Sequence, residues 1–229
     1  MSDRRVNPPS SNLPGRPYRS AKRAQGALQT RQAIREAATT LFLRDGYTRT
    51  SMKAIAARAG VSEKTMYLAY ATKANLLSHV IQVAVRGDEA PAPLSRRPEW
   101  QAVFHGPPGQ AFARFATLNA ALMARTAPII AVGEAAAAGD NELAAYRDQA
   151  HEAARADVRA LVTALSHAGV LADNTDERVA ADTIYALAAD ESIYLRLTHE
   201  CGWTDTQYAE LIASILQATL ATPQSRSTR

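Results

Sequence analysis

Two short apolar periods separated by one glycine constrain this chain more than any other feature of it. Between Thr50 and Leu76 the sequence reads TSMKAIAARAGVSEKTMYLAYATKANL. Met52, Ile55, Ala56 and Ala59 recur at three and four residues, which marks one face of a helix about two turns long. Gly60 ends it, because glycine accepts the left-handed backbone that closes a helix. Ser62 is then placed to cap the amides of a second helix beginning at Glu63. Val61 before the cap and Met66 at the fourth helical position have the spacing of a hydrophobic staple, which fixes the entry angle. Two short helices held at a set angle by a tight turn are the sequence form of a helix-turn-helix, whose second helix enters the major groove.

The second helix separates its faces. Met66 and Tyr70 point together toward the first helix, whereas Lys64, Thr65 and Leu68 turn outward and Tyr67 lies on the flank. The outward set is the one that would meet base edges. Cations stand at three helix starts or just before them: Arg49, Lys64, and Lys73 directly after the expected cap Thr72. A helix start already carries partial positive charge, so each cation there is unfavourable by roughly 0.3 to 1 kcal/mol. Phosphates docked on those starts would offset it, using free amides and lysines together. A solvated charged surface with a small tolerated penalty is the other reading.

Around this turn the chain resembles the tetracycline-repressor-like transcriptional regulators. The matching residues include Ala37, Ala38, Leu41, Phe42, Gly46, Tyr47, Thr50, Ser51, Ile55, Ala56, Ala59, Gly60, Val61, Ser62, Thr65, Tyr67, Tyr70, Lys73 and Leu76. The resemblance implies that Thr50, Thr65, Tyr67 and Lys73 touch DNA, mostly its phosphates. With Ser62 and Lys64 they form the expected DNA-binding set. Leu68 and Ala69 stand where such regulators commonly carry polar or basic groups. An exposed leucine either touches a thymine methyl or makes a poor contact.

Charge divides the chain in the same place. Residues 1 to 80 hold 14 Lys and Arg against 4 Asp and Glu, a net of +10, while the remainder nets −6. A basic front and an acidic rear suit nucleic acid at one end only. The single cysteine, Cys201, excludes an internal disulfide and any multi-cysteine metal site. Neither a signal-peptide pattern nor an unbroken apolar run approaching about 18 residues is present, so a soluble, cytoplasmic protein without membrane partners is expected.

Taken in order, residues 1–26 are rich in Pro, Ser, Asn and Arg, and are expected to be a flexible basic arm carrying Arg4, Arg5, Arg16, Arg19, Lys22 and Arg23. Such an arm either follows DNA or only keeps the chain soluble. Residues 27–72 form the helix-turn-helix domain, with a buttressing helix from about Leu28 to Arg44 that ends at Asp45 and Gly46. Residues 73–222 form a helical ligand-binding and dimerisation domain, and 223–229 a flexible tail. Within the rear domain the sequence predicts a helix from Leu76 to Gly87 and a loop through Pro91 to Pro98. A short helix near Trp100 follows, then a stripe through Phe112 to Met123, with Pro128 starting or kinking the next helix. A long helix from Leu143 to Leu165, another from Val179 to about His199, and a last one from Thr204 to Leu220 complete the chain. Tyr208, Leu211, Ile212, Ile215, Leu216 and Leu220 make a broad stripe on that last helix. It serves either homodimerisation or packing within the monomer. The resemblance favours pairing of two protomers through the last two helices.

The expected architecture is therefore all-α: an N-terminal three-helix DNA-binding domain followed by a C-terminal helical regulatory and dimerisation domain. No phosphate-cradling glycine loop, zinc-type His-Glu-x-x-His or serine elbow occurs, so neither an enzyme, a cofactor nor a metal is expected. Asn119 falls on the apolar face of Phe112, Phe115 and Met123. A buried amide needs a partner, which is a backbone group, a water or a ligand. These four residues are the candidate ligand contacts. The function expected is a homodimeric regulator, a repressor released from a near-palindromic double-stranded operator by a small-molecule effector. The alternative is a constitutive or architectural DNA-binding protein whose rear domain only dimerises.

Overall fold

Every regular element among the described residues is helical, apart from one isolated bridge between Leu171 and Ala221, in a computed structural model that describes residues 16–90 and 92–221. The expected all-α class is the one observed. Helix α1 runs Arg16–Arg49, with Gly46 outside helical geometry at φ 75° and ψ 172°. The helix proper thus stops at the glycine that the sequence marks. Its start places residues 16–26, part of the expected arm, in helix. Ala, Lys, Arg, Gln and Leu dominate residues 21–29 and are strong helix formers, and Pro17 sits in the first turn, where a missing amide is harmless. A helix without an apolar face gives no periodic signal, which is why the segment reads as irregular. Residues 1–15, the tail 223–229 and the side chains of Arg16, Arg19, Lys22 and Arg23 lie outside the described residues.

Helices α2 (Met52–Ala59), α3 (Glu63–Ala69) and α4 (Lys73–Arg86) follow. Ile34, Phe42, Ile55, Met66, Leu76 and Leu77 are fully buried together, and Ile129, Ala137 and Leu143 from later helices join the same cluster. The boundary placed after residue 72 therefore crosses a continuous core, with α4 shared by both sides.

A strap then crosses the body: a 3-10 turn at Leu94–Arg96, the short helix α5 (Pro98–Gln101), and 3-10 turns at Ala102–Phe104 and Pro108–Gln110. Helix α6 (Ala111–Ala137) passes through Pro128 without ending, so of the two expectations there, a new helix or a kink, the new helix does not occur. With its preceding turn it is long and apolar enough to cross a membrane by composition, at mean hydropathy 1.4, yet half of that window is buried inside this fold. It is the central core helix. Helices α7 (Asn141–His167), α9 (Glu191–Leu195) and α10 (Asp205–Leu220) pack on it, and α8 (Glu177–Ala188) packs on α7 and α10.

The single helix expected from Val179 to about His199 is divided. Asp190 accepts the amides of Ser192 at 2.8 Å and Ile193 at 3.3 Å, so its carboxylate starts α9 instead of letting α8 continue. A π-turn over Arg196–Glu200 closes α9. On α10, Tyr208, Ile212, Leu216 and Leu220 are buried within the protomer. Leu211 and Ile215 remain half-buried.

Candidate nucleic-acid interface and internal cavity

Local caps build the helix-turn-helix. The Ser51 hydroxyl accepts the Ala54 amide at 3.1 Å and starts α2. Gly60, at φ 68°, ends it by donating to Ala57, while the Val61 amide reaches Ala56 at 3.0 Å. This pair of bonds is the Schellman arrangement, which requires the left-handed residue. Ser62 accepts the Thr65 amide at 3.1 Å, and the two hydroxyls lie 2.8 Å apart. Met66 is buried, and Val61 packs on the same core. Thr72 accepts the Asn75 amide at 2.9 Å and caps α4.

The outward face of α3 is open. Ser62 and Lys64 are exposed, Tyr67 is 54% exposed and Leu68 78%. Thr65 is half-buried, its hydroxyl engaged with Ser62. Four of the six residues of the expected DNA-binding set therefore lie on or at the start of one short helix. The other two are placed differently. Thr50 is 3% exposed, and its hydroxyl donates to the carbonyls of Gly46 at 2.8 Å and Leu41 at 3.2 Å. Both bonds hold the Thr50 hydroxyl against the end of α1, turned away from the surface. Lys73 is half-buried. Its ammonium donates to the carbonyls of Tyr47 at 2.9 Å and Thr50 at 3.0 Å. Burial pushes its pKa down, opposed by the nearby Asp140 carboxylate. Arg49 likewise turns back, donating to the Asp45 carbonyl at 2.9 Å.

Tyr47 and Asp140 meet in a contact that the sequence reading did not single out. The Tyr47 hydroxyl donates to Asp140 at 2.8 Å, and Asp140 also caps α7 through the amides of Glu142 and Leu143. Burial, then the bond to Asp140, raises the Tyr47 pKa. Beside it, Thr72 donates to Glu142 at 2.9 Å and the Asn75 amide to Tyr146 at 3.3 Å. The start of α7 is thus moored to the reader at α1 and α4. Further along α4, Arg125 of α6 donates to the carbonyls of Ala84 and Val85 at 3.0 and 3.1 Å. The capping signal at Asp140 was legible, but its partner lies 93 residues away.

Behind the reader lies a cavity of about 310 Å³, walled by α4, α6, α7, the strap and the end of α8. Phe115, Asn119 and Met123 line it, whereas Phe112 is packed in the core and is not on its wall. Asn119 donates to the Ala188 carbonyl at 2.8 Å and accepts from the Tyr208 hydroxyl at 3.2 Å. Its amide is satisfied by protein groups. The Ala188 carbonyl ends α8 where Asp190 interrupts the helix, so the interruption supplies the partner that a buried amide requires.

A capped helix-turn-helix moored to an all-helical body with an internal cavity defines the class: a helix-turn-helix regulator with a helical rear domain. A family model described as bacterial regulatory proteins, tetR family, matches residues 34–80, the span that holds the helix-turn-helix. No curated protein matches the chain in sequence. Solved structures do match in fold. NalD of Pseudomonas aeruginosa, the secondary repressor of the MexAB-OprM multidrug efflux pump, is 19% identical at a TM-score of 0.64, covering 87% of this chain and all of its own. SmeT in complex with triclosan is 17% identical at 0.65, covering 87% of this chain and 96% of its own. FadR of Bacillus subtilis in complex with stearoyl-CoA is 16% identical at 0.65, covering 82% and 97%. At these identities the shared property is the TetR-like fold.

Proposed function

We propose that this chain is a homodimeric DNA-binding transcriptional repressor, cytoplasmic, that leaves a near-palindromic operator when a small organic molecule fills its cavity. The observation that carries the reading is the mooring of an open α3 face to a body that holds a largely apolar cavity of about 310 Å³. Ser62, Lys64, Thr65 and Tyr67 are the residues presented to DNA, with Leu68 beside them. Phe115, Asn119 and Met123 are ligand contacts, and Phe112 supports them from behind. Lys73 and Thr50 hold the reader in shape. NalD, a repressor, and SmeT and FadR, each in complex with a small molecule, support the reading.

One recognition helix reads only a few base pairs, so two copies related by a two-fold axis are needed for a specific site, with half-sites about 34 to 36 Å apart or a multiple. Half-buried Leu211 and Ile215 on α10 offer the apolar surface for pairing. Ligand binding releases DNA only if the DNA-bound spacing has the lower ligand affinity. Footprinting on DNA upstream of the gene, with sedimentation of the free and bound protein, tests this. A monomer protecting one short asymmetric site would sink it. A dimer whose footprint no small molecule alters would be a constitutive binder instead.

A further inference from the structure

The strap and α7 place a fixed negative charge in the wall of the cavity. Asp157 accepts the Leu94 amide at 3.2 Å, the Ser95 amide at 3.1 Å and the Ser95 hydroxyl at 2.6 Å. All three donors are neutral, and among the described residues no Lys, Arg or His pairs with this carboxylate. Its charge is therefore held in place but not cancelled. Arg96, the other charged residue on the wall, is exposed, so water screens its field far more. The neighbouring wall is aromatic. Trp100, Phe104 and Phe115 line the same cavity, with the Trp100 and Phe115 rings edge to face at 5.9 Å.

We propose that the cavity takes organic cations: an amine or quaternary ammonium on an aromatic body, with its charge seated between Asp157 and the rings of Trp100, Phe104 and Phe115. Aromatic faces attract cations within about 6 Å of a ring centroid, and most strongly where water is excluded. An anion would meet the Asp157 carboxylate with no buried cation to offset it. A neutral aromatic ligand would gain the apolar contacts alone. A volume of about 310 Å³ admits a small ligand of one or two fused rings. This inference rests on the reading of the cavity as the effector site, and it adds the charge of the effector.

The sequence holds two tryptophans, so Trp203→Phe leaves Trp100 as the only indole reporter. Three probes of matched shape are titrated by Trp100 quenching and calorimetry: (1-naphthylmethyl)trimethylammonium, its neutral tert-butyl isostere, and 1-naphthylacetate. The cation is expected to bind at least about tenfold tighter than the neutral isostere, which is one factor of ten per 1.4 kcal/mol, with the anion weakest. Asp157→Asn should remove most of the cation's advantage while the neutral isostere keeps its affinity, the sign that the cavity survives the change. Equal affinity of cation and isostere overturns the proposal and leaves an uncharged effector site standing. Tightest binding of the anion also overturns it, in favour of Arg96. A cation preference that survives Asp157→Asn in a folded protein removes Asp157 from the role. If none of the three binds, the effector cavity itself fails, and this proposal with it.

Discussion

The Lys73 ammonium sits 4.1 Å from the centroid of the Tyr47 ring while donating to the carbonyls of Tyr47 and Thr50. One side chain at the start of α4 therefore closes the end of α1, and Tyr47 carries the connection on to Asp140 at the cap of α7. A lysine used this way shapes the reader from inside. Its third proton is the one left for a phosphate.

Lys73→Met should accordingly act on stability more than on the ionic part of DNA binding. It keeps the aliphatic stem and strips two carbonyls of a charged donor, at a cost of about 1–3 kcal/mol. Urea denaturation should show that loss. The dependence of DNA affinity on salt should keep its slope, whereas a slope reduced by about 0.9 would return Lys73 to the phosphates.

Asn119→Leu changes little in volume but leaves the Ala188 carbonyl and the Tyr208 hydroxyl without their partner. Both are buried, and each orphaned group costs about 1–3 kcal/mol. We expect a lower urea midpoint with an unchanged m-value. Retained stability would mean that water replaces the amide.

Gly133 lies where α6 passes α4: a Cβ built there would come within 2.7 Å of the Ile81 methyl. Alanine asks only for a shift of the far end of one side chain and gains helix propensity, so Gly133→Ala should change stability by less than about 1 kcal/mol. Gly133→Leu forces α4 off α6, and overpacking of this kind costs about 1–3 kcal/mol. Calorimetric melting of the two variants checks the contrast.

Acid should loosen the strap. Hydrogen bonds from Arg97, then from the Ala90 amide, hold the Asp88 carboxyl at about 2, down from 3.8. A depressed carboxyl contributes its full stability above the unfolded value of 3.8 and loses it as pH falls through about 2. In the Trp203→Phe background, Trp100 emission should shift to longer wavelength over that window. Asp88→Asn should show part of the shift already at neutral pH and no such step on acidification.

What was legible in the sequence follows the range of the physics. Gly60, Ser62 and Thr72 act within a few residues, and all appear where their spacing puts them. Lys64 and Leu68 face outward on α3 as periodicity requires, whereas Thr65, expected outward with them, is half-buried and Tyr67, expected on the flank, is exposed. The inward turn of Lys73 was not readable, because its acceptors stand 26 and 23 residues back in the chain. Nor were the partners of Asn119, which lie 69 and 89 residues on. The division between α8 and α9 was missed for a different reason. The alanines and the apolar stripe on both sides of Asp190 keep helical period through the break, and only the carboxylate's competition for the Ser192 and Ile193 amides interrupts it.

Helix α7 touches both working parts of the molecule. Its cap, Asp140, holds Tyr47 of the reader, and Asp157 on the same helix holds Leu94 and Ser95 of the strap. At 1.5 Å per residue these two contacts stand about 25 Å apart along one axis. An α-helix of that length behaves as a stiff beam, so the two moorings share a single coordinate. A tilt or slide that lifts the strap at one end must be taken up at the other, as strain in the Tyr47 contact or as displacement of the reader itself.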